Sequence, residues 1–277
     1  MGASNPDLRH LPGPLALVGA GKMGGALLDG WLRCGLDPAQ LAVIEPNPSP
    51  PIAALTERGA GLRPDPRGLG DAAAIVIAVK PQIAAEVLST IAPLVGASTI
   101  VISIMAGRTL QFLCGAFPRA NAFVRAMPNM PAAIGRGVTV AVPLGANAAQ
   151  RDLAHRLLSA TGAVEWVDDE TLLDAVTAVS GSGPAYVFLL AEALAQAGTA
   201  AGLPQPLAET LARETVAGAG ELLRQSDLDA AALRQSVTSP GGTTAAALDV
   251  LMGANGLATL MKKAVAAATE RSRQLAG

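Results

Sequence analysis

The first half of the chain alternates short apolar runs with helix-like segments. Residues 15–18, 41–44, 72–79 and 99–104 are continuous apolar runs rather than alternating ones. Strands that are buried on both faces have this pattern, which is typical of a parallel sheet covered by helices. A helical segment opens near Met23, directly after the first run. The pattern therefore predicts an α/β domain with a mostly parallel sheet.

The second half of the chain has a different pattern. Residues 121–126, 138–142 and 163–167 are the last runs that could extend the sheet, and no strand-like run follows them. Long Ala- and Leu-rich segments separated by Gly and Pro take over, as expected for helices. We therefore predict two domains without a flexible linker, an α/β domain over residues 1–165 and an all-α domain over residues 166–277.

The composition favours a protein that buries much of its surface between subunits. Charged residues make up 15% of the chain and hydrophobic residues 51%, which is a poor composition for the surface of a monomer. The 20 Lys and Arg residues nearly balance the 22 Asp and Glu residues, so no basic field attracts nucleic acid. A homo-oligomer that does not bind nucleic acid is therefore predicted.

The sequence does not predict a membrane span or a metal site. No apolar run approaches the about 18 residues that span a bilayer, and residues 1–14 lack a signal-peptide core, so we expect a cytoplasmic protein. Cys34 and Cys114 lack metal-ligand spacing and are expected to be buried, reduced thiols. His10 and His155 are isolated, and neither is predicted to be a catalytic base.

A glycine motif lies between the first predicted strand and the first helix. Gly19, Gly21 and Gly24 fit the G-x-G-x-x-G fingerprint of dinucleotide-binding proteins. The first glycine permits a tight turn, the second lets a pyrophosphate approach the backbone, and the third allows the helix to pack closely on the strand. Glu45 follows the second strand, where a carboxylate accepts from a ribose 2′-hydroxyl, although a solvated loop carboxylate also fits there. We predict a dinucleotide site at this turn.

Two further loops follow predicted strands, where open α/β sheets place their ligands. Residues 79–81 close one strand, and residues 125–129 close another. Lys80 could equally be a surface ammonium, and Arg125 could be an ion-pair partner within the fold. Asn129 could bond to the carboxamide of a nicotinamide or form an ordinary turn.

A loop rich in hydroxyl groups interrupts the apolar second half. Residues 237–244 read Val-Thr-Ser-Pro-Gly-Gly-Thr-Thr, and the run from Thr244 to Met252 predicts a helix. The Pro-Gly-Gly turn leaves backbone N–H groups unobstructed, and the helix dipole favours an anion at this end. The arrangement suits a small carboxylate, although Ser and Thr also precede many helices as ordinary caps.

Five blocks of the sequence together resemble the pyrroline-5-carboxylate reductase family, which catalyses the last step of proline biosynthesis. They are Gly-Ala-Gly-Lys-Met at 19–23, Ala-Val-Lys-Pro at 78–81, Val-Arg-Ala-Met-Pro-Asn at 124–129, Ser-Gly-Ser-Gly-Pro-Ala-Tyr at 180–186 and the loop at 237–244. The resemblance covers nearly the whole chain. It depends mainly on the last two blocks, because many dehydrogenases share the glycines.

The resemblance implies a Rossmann domain followed by a helical dimerisation domain, with an active site shared across the subunit interface. It implies reduction of the cyclic imine 1-pyrroline-5-carboxylate to L-proline by hydride from NADPH or NADH. The implied cofactor-binding residues are Gly19, Ala20, Gly21, Lys22, Met23, Ala78, Val79, Lys80 and Pro81, with Met127, Pro128 and Asn129 beside the nicotinamide. The implied substrate-binding residues are Ser239, Gly242, Thr243 and Thr244. The hydroxyl of Thr244 would also face the ring nitrogen, which makes Thr244 the expected catalytic residue.

The chain departs from the family pattern at two positions. Lys22 stands where Asn is usual, which would place an ammonium close to the pyrophosphate. Glu45 stands where many relatives have Ser, Asn or Arg, and its charge would repel a 2′-phosphate, which favours NADH over NADPH. Lys22 or Arg63 could instead fold toward the phosphate, and the family tolerates both coenzymes.

Two other functions are compatible with parts of the sequence. Another reductase on the same plan, such as a β-hydroxyacid dehydrogenase, would need a catalytic Lys on the first long interdomain helix, and residues 168–202 contain none. A non-catalytic nucleotide sensor would keep the Rossmann half, and a degenerate 237–244 loop would favour it. Because that loop is intact, the sequence favours the imine reductase.

Overall fold

A computed structural model describes residues 6–63 and 72–276. The strands in these ranges are β1 (Leu15–Val18), β2 (Leu41–Ile44), β3 (Gly61–Arg63), β4 (Ala74–Ile77), β5 (Ile100–Ser103), β6 (Ala122–Met127), β7 (Gly137–Leu144) and β8 (Gly162–Trp166). They form one sheet in the order β3-β2-β1-β4-β5-β6-β7-β8. The strand order reverses at β1, and open α/β sheets bind their ligands beyond the carboxyl ends of the strands at such a point.

The sheet is parallel except at one pair of strands. All neighbours from β3 to β6 pair in parallel, β7 runs antiparallel to β6, and β8 pairs in parallel with β7. In the centre, Leu17 lies between Val43 of β2 and Val76 of β4. The mostly parallel sheet that the sequence predicts is therefore confirmed.

The helices connect these strands and then form the rest of the chain. They are α1 (Lys22–Arg33), α2 (Pro50–Ala53), α3 (Ala84–Ile91), α4 (Leu110–Ala116), α5 (Ala148–Ser159), α6 (Leu172–Val176), α7 (Gly183–Ala200), α8 (Gln205–Gln225), α9 (Ala230–Ser236), α10 (Thr243–Leu251) and α11 (Leu257–Ala276). A π-helical turn, Thr177–Gly181, follows α6 directly. The helical second half that the sequence predicts is also confirmed.

Two separate hydrophobic cores lie on the two faces of the sheet. Leu15 and Leu17 belong to the core that α1 and α5 cover, whereas Ala16 and Val18 belong to the core that α3 and α4 cover. The indole Nε1 of Trp31 on α1 donates to a backbone carbonyl of α5 at 2.8 Å. Both faces of the strands are therefore buried, which is why the sequence shows continuous apolar runs.

The contacts between residues group the chain into two compact units. One is Ser182–Ala268, and the other consists of the described residues before and after it. The predicted division at residue 165 falls inside β8, and α6 belongs by its contacts to the unit that contains the sheet. As a division of function between the two halves, the boundary at 165 stays a prediction.

One helical stretch differs from the expectation about membranes. Leu172–Ala200 comprises 29 residues and contains a window that is long and apolar enough for a membrane span, by length and composition alone. The expectation that no apolar stretch approaches this length is wrong, because it considered uninterrupted apolar runs, and Asp174 and Glu192 divide this stretch into shorter ones. Almost none of this stretch is buried within the chain itself.

The two cysteines also differ in part from the expectation. Cys34 and Cys114 are both free, but they are half-buried rather than buried. Partial burial raises the pKa of both thiols, because it penalises the charged thiolate. Neither thiol is therefore activated as a nucleophile.

Candidate active site

The glycine turn after β1 has the geometry that a dinucleotide requires. Gly19 has a φ of +86°, and a Cβ added there would lie 2.8 Å from Cγ1 of Val79. A Cβ on Gly24 would collide with the carbonyl oxygen of Gly19. A Cβ on Gly21, by contrast, would meet no atom within 4 Å. The first and third glycines are needed for close packing, and the second leaves open space at the start of α1 for a ligand.

Glu45 lies directly beside this turn. Its Oε2 accepts from the backbone N–H of Ala20 at 2.9 Å, and its Oε1 accepts from the backbone N–H of Asn47 at 3.1 Å. The carboxylate is half-buried, so it is held in the fold rather than free in a solvated loop. Lys22 and the Met23 that follows it open α1, and the Lys22 side chain is exposed. The side chain of Arg63 lies outside the described part of the structure.

The loop after β4 carries the next predicted positions. Ala78 is tied to β1 by its backbone N–H, which donates to the carbonyl oxygen of Val18 at 2.8 Å. Val79 reaches the glycine turn through its contact with Gly19. Lys80 is exposed, and Pro81 begins a short 3-10 turn. The loop at residues 78–81 therefore lies against the glycine turn at the carboxyl edge of the sheet.

At the end of β6, one polar side chain is used within the fold and another keeps a donor that a ligand could use. Arg125 is buried and its Nη1 lies 2.7 Å from Oε1 of Glu170, so it forms an ion pair within the fold. The Oδ1 of Asn129 accepts from the backbone N–H of Val138 at 2.9 Å. Within the described residues, Nδ2 of Asn129 makes no hydrogen bond and stays available as a donor. Pro128 is buried and Met127 half-buried beside it.

A π-helical turn packs against Met127, and the sequence did not reveal it. A Cβ added to Gly181 would lie 2.8 Å from Cε of Met127. The adjacent Ser180 hydroxyl is buried without a hydrogen-bond partner within the described structure. π-helical turns often occur at functional sites. The Ser-Gly-Ser-Gly-Pro-Ala-Tyr block, which is one of the blocks that carry the family resemblance, begins in this turn, and the turn limits the space around Met127.

The hydroxyl-rich loop lies in the helical unit and leaves the start of α10 open. Gly242 is the N-cap residue of α10, and no side chain accepts from the first N–H groups of this helix. The backbone N–H of Gly242 donates to the carbonyl oxygen of Ser239 at 3.0 Å, so the loop turns on itself. Thr243 and Thr244 are the first two residues of α10. The ordinary Ser or Thr cap that the sequence left open is therefore not formed.

The predicted residues form two groups. Gly19, Ala20, Gly21, Lys22, Met23, Glu45, Ala78, Val79, Lys80, Pro81, Met127, Pro128 and Asn129 follow strands β1, β2, β4 and β6 or end them, and these carboxyl ends share one edge of the sheet. Ser239, Gly242, Thr243 and Thr244 belong to the helical unit. Each group is consistent with the role that the resemblance implies, and the individual roles stay predictions.

Sequence reasoning missed the loop after β5. Arg108 in this loop donates from Nε and Nη2 to the carbonyl oxygen of Pro81, at 3.2 and 2.8 Å. A signal was available, because Gly107 and Arg108 follow the apolar run at 99–104, as ligand loops do. Glu170 was also missed, since its partner Arg125 is 45 residues away in sequence.

Comparison with known proteins identifies the family. A family model described as pyrroline-5-carboxylate reductase dimerisation matches residues 170–275. A second model, described as NADP oxidoreductase coenzyme F420-dependent, matches residues 14–107. The pyrroline-5-carboxylate reductase of Pseudomonas aeruginosa is 37% identical over 264 residues, which cover 95% of this chain and 96% of that protein. The chain belongs to the pyrroline-5-carboxylate reductase family.

Solved structures of pyrroline-5-carboxylate reductases share the fold over nearly the whole chain. The enzyme from Coxiella burnetii has a TM-score of 0.88 and 33% identity, covering 96% of this chain and 100% of that one. The Plasmodium falciparum pyrroline carboxylate reductase, solved with NADP bound, has a TM-score of 0.77 and 29% identity, covering 96% and 99%. This chain is therefore an NAD(P)H-dependent oxidoreductase that acts on a C=N bond. Its dimerisation region supports a homo-oligomer.

Proposed function

We propose that this chain reduces 1-pyrroline-5-carboxylate to L-proline, with Ser239, Gly242, Thr243 and Thr244 holding the substrate carboxylate. The observation that carries this assignment is the uncapped start of α10, where no side chain accepts from the first backbone N–H groups. Unpaired N–H groups and the positive end of the helix dipole suit a small anion. The hydroxyls of Ser239 and the two threonines add further donors at the same turn.

We assign the coenzyme to the carboxyl edge of the sheet. The open face of Gly21 accommodates the pyrophosphate, with Gly19, Ala20, Lys22 and Met23 around it. The loop of Ala78, Val79, Lys80 and Pro81 and the end of β6 with Met127, Pro128 and Asn129 complete the site. The Nδ2 of Asn129 is the donor that we assign to the nicotinamide carboxamide. A reduced nicotinamide dinucleotide supplies the hydride when bound there.

The residues of the chain need supply no strong acid. The imine nitrogen is basic enough to be protonated in solution, and a protonated C=N carbon accepts hydride most readily. Thr244 would then offer its hydroxyl oxygen to the ring nitrogen and hold the ring in one orientation. The main contribution of the protein is to fix the reacting groups relative to each other and to exclude water.

Glu45 leads us to propose a preference for NADH. Its carboxylate is fixed beside the glycine turn by two backbone N–H groups. A 2′-phosphate near this carboxylate would be repelled, whereas a ribose 2′-hydroxyl could donate to it. Lys22 is close in sequence to the same turn and would offset part of the repulsion. We therefore expect a preference rather than exclusion of NADPH.

We further propose that the functional oligomer is at least a homodimer, with the active site at the subunit interface, and that the enzyme is cytoplasmic. The dimerisation family model that matches residues 170–275 supports the first part. The free cysteines Cys34 and Cys114 suit a reducing compartment, which supports the second part.

The first experiment is an assay with purified protein, 1-pyrroline-5-carboxylate and each reduced coenzyme in separate titrations. The loss of nicotinamide absorbance measures the rate, and amino-acid analysis measures the product. We expect turnover with both coenzymes, one proline for each coenzyme oxidised, and a higher kcat/KM with NADH. Binding of both coenzymes without turnover would instead favour the non-catalytic sensor or a different imine substrate.

Substitution of Glu45 tests the coenzyme preference. Glu45→Ser removes both the charge and the acceptor for Ala20, whereas Glu45→Gln removes the charge and keeps an acceptor oxygen. We expect both variants to raise the NADPH to NADH ratio of kcat/KM by about tenfold, which corresponds to 1.4 kcal/mol. Glu45→Gln is the matched control for the hydrogen bond, and we expect it to keep more of the NADH affinity. An unchanged ratio in both variants would remove Glu45 from coenzyme selection.

A further inference from the structure

Arg108 donates two hydrogen bonds to the loop after β4. It lies in the β5–α4 loop, residues 104–109, and is half-buried. Its Nε and Nη2 donate to the carbonyl oxygen of Pro81 at 3.2 and 2.8 Å. The guanidinium carbon lies 4.8 Å from the ring centroid of Phe112 on α4. The ring contact limits the rotamers of the side chain, so the guanidinium is already oriented toward Pro81.

This contact is a main attachment of the loop at residues 78–81. Pro81 has no N–H group, so only its carbonyl oxygen can anchor it through the backbone. Within the described parts of the chain, no side chain other than Arg108 donates to the backbone of this loop. Lys80 is exposed and makes no ion pair with a described residue. Without Arg108, the carbonyl oxygen of Pro81 would be held by its own 3-10 turn, in which the backbone N–H of Ala84 donates to it.

The opposite end of the β5–α4 loop is anchored to a different part of the site. The backbone N–H of Leu110, the first residue of α4, donates to Oε1 of Glu170 at 2.8 Å. The same oxygen forms the ion pair with Arg125 on β6, two residues before Met127. Charge-assisted hydrogen bonds are stronger than neutral ones. The segment from Arg108 to Leu110 therefore joins the loop after β4 to the end of β6.

We propose that Arg108 is a positioning residue for the coenzyme, which fixes the loop at residues 78–81 relative to the end of β6. This inference rests on the proposed function, which assigns both of these segments to the coenzyme site. Arg108 acts through Pro81 and does not itself touch the reacting atoms. Its loss leaves the loop free to adopt conformations that do not bind the coenzyme, and the apparent Kd rises in inverse proportion to the fraction of molecules that stays competent.

The test compares three variants by direct binding of NADH and NADPH, measured by nucleotide fluorescence. Arg108→Ala removes the contact. Arg108→Lys keeps the charge and one donor but not the planar fork. Arg151→Ala is the matched control, because Arg151 also stacks on a ring, that of Trp166 at 4.7 Å. Arg151 lies on α5, which follows the antiparallel strand β7 and therefore starts at the other edge of the sheet.

We expect Arg108→Ala to raise the Kd of both coenzymes by about tenfold, corresponding to 1.4 kcal/mol, without changing their ratio. Arg108→Lys should weaken binding by an intermediate factor, and Arg151→Ala should stay within about twofold of the wild type. In steady-state assays of Arg108→Ala, KM for the coenzyme should rise while kcat stays nearly unchanged, as expected for lost uniform binding. A purely structural role would lower Tm without this division between KM and kcat.

Several results would overturn the proposal. Arg108→Ala with unchanged Kd values would do so, and so would an equal loss of affinity in Arg151→Ala. If Arg108→Ala does not fold, the test rests on Arg108→Lys. Wild-type coenzyme affinity in that variant would show that the planar guanidinium of Arg108 does not position the loop. Wild-type turnover to proline tests the proposed function separately, because the ratio of Kd between variant and wild type does not depend on it.

Discussion

The first turn of α10 combines two kinds of donor that an imine carboxylate can use. Thr243 and Thr244 present backbone N–H groups without intrahelical partners, and both side chains carry hydroxyls. Gly241 has a φ of +69°, a conformation that favours glycine, and it turns the loop into the helix. At the scale of single residues, the proposed substrate site therefore depends on backbone groups as much as on side chains.

Substitution of Thr244 tests its assigned role in orienting the ring. Thr244→Ala should lower kcat/KM for the imine. The corresponding loss of transition-state stabilisation should be about 1–3 kcal/mol, as expected for one positioned hydrogen bond. Thr244→Ser keeps the hydroxyl and should retain most of the activity. Thr238→Ala serves as a control, because the Thr238 hydroxyl already donates to the carbonyl oxygen of Arg234 at 2.7 Å. Steady-state kinetics that do not change in Thr244→Ala would exclude Thr244 from the mechanism.

The sequence predicted the roles of single residues best where those roles depend on neighbouring residues in the chain. The glycine turn follows from steric requirements within six residues, and the φ of Gly19 at +86° agrees with them. The sequence left open whether Arg125 was functional or an ion-pair partner, since Glu170 is far away in the chain. The position of Arg108 after the apolar run at 99–104 could have indicated a ligand loop, but its partner, the backbone carbonyl of Pro81, has no signature in the sequence.

At the scale of elements, the Arg125–Glu170 pair connects β6, α4 and the segment before α6. The two side chains differ in exposure, 10% for Arg125 and 27% for Glu170. Removing Glu170 leaves a cation in a buried site without its partner, which is costly. Removing Arg125 leaves a carboxylate that keeps the N–H of Leu110 and reaches water.

We therefore expect Glu170→Ala to destabilise the protein more than Arg125→Met does. The loss for Glu170→Ala should be about 2–4 kcal/mol, slightly below the about 3–5 kcal/mol for breaking a fully buried pair, because Glu170 is partly exposed. Arg125→Met fills a similar volume with an apolar side chain and should cost less. Urea unfolding at a fixed protomer concentration measures both, since assembly makes stability depend on concentration. Equal losses, or the reverse order, would show that burial of Arg125 does not determine the cost.

The elements themselves were predicted with errors of one or two residues wherever both faces of a strand are buried. The strands at 15–18 and 41–44 have the predicted bounds, and the predicted strand at 72–79 shortens to Ala74–Ile77. The short strand β3 was missed, because three residues at the sheet edge give no hydrophobic pattern. The π-helical turn was missed as well, because π-helical turns are rare and no propensity predicts them.

The helical unit as a whole lacks a hydrophobic core of its own. Among the described residues from Ser182 to Ala268, only Ala208 and Ala212 are hydrophobic and buried. Large apolar side chains on α7 and α10 are exposed, including Phe188 at 59% and Val250 at 77%. Exposed apolar surface on this scale marks an interaction site. Because the dimerisation family model covers these helices, a second copy of the chain is the expected partner.

Disruption of this surface tests the proposed dimer. Phe188→Glu on α7 places a charge on the apolar face and should abolish the dimer, lower Tm by several degrees or more, and leave the protein prone to aggregation. Leu144→Glu is the matched control, since Leu144 is 46% exposed but lies on β7 in the other unit. Sedimentation velocity without detergent measures the assembly state of both. A wild-type monomer, or a wild-type protein that stays soluble only in detergent, would contradict the dimer. The second outcome would point to the apolar stretch Leu172–Ala200 as a lipid contact.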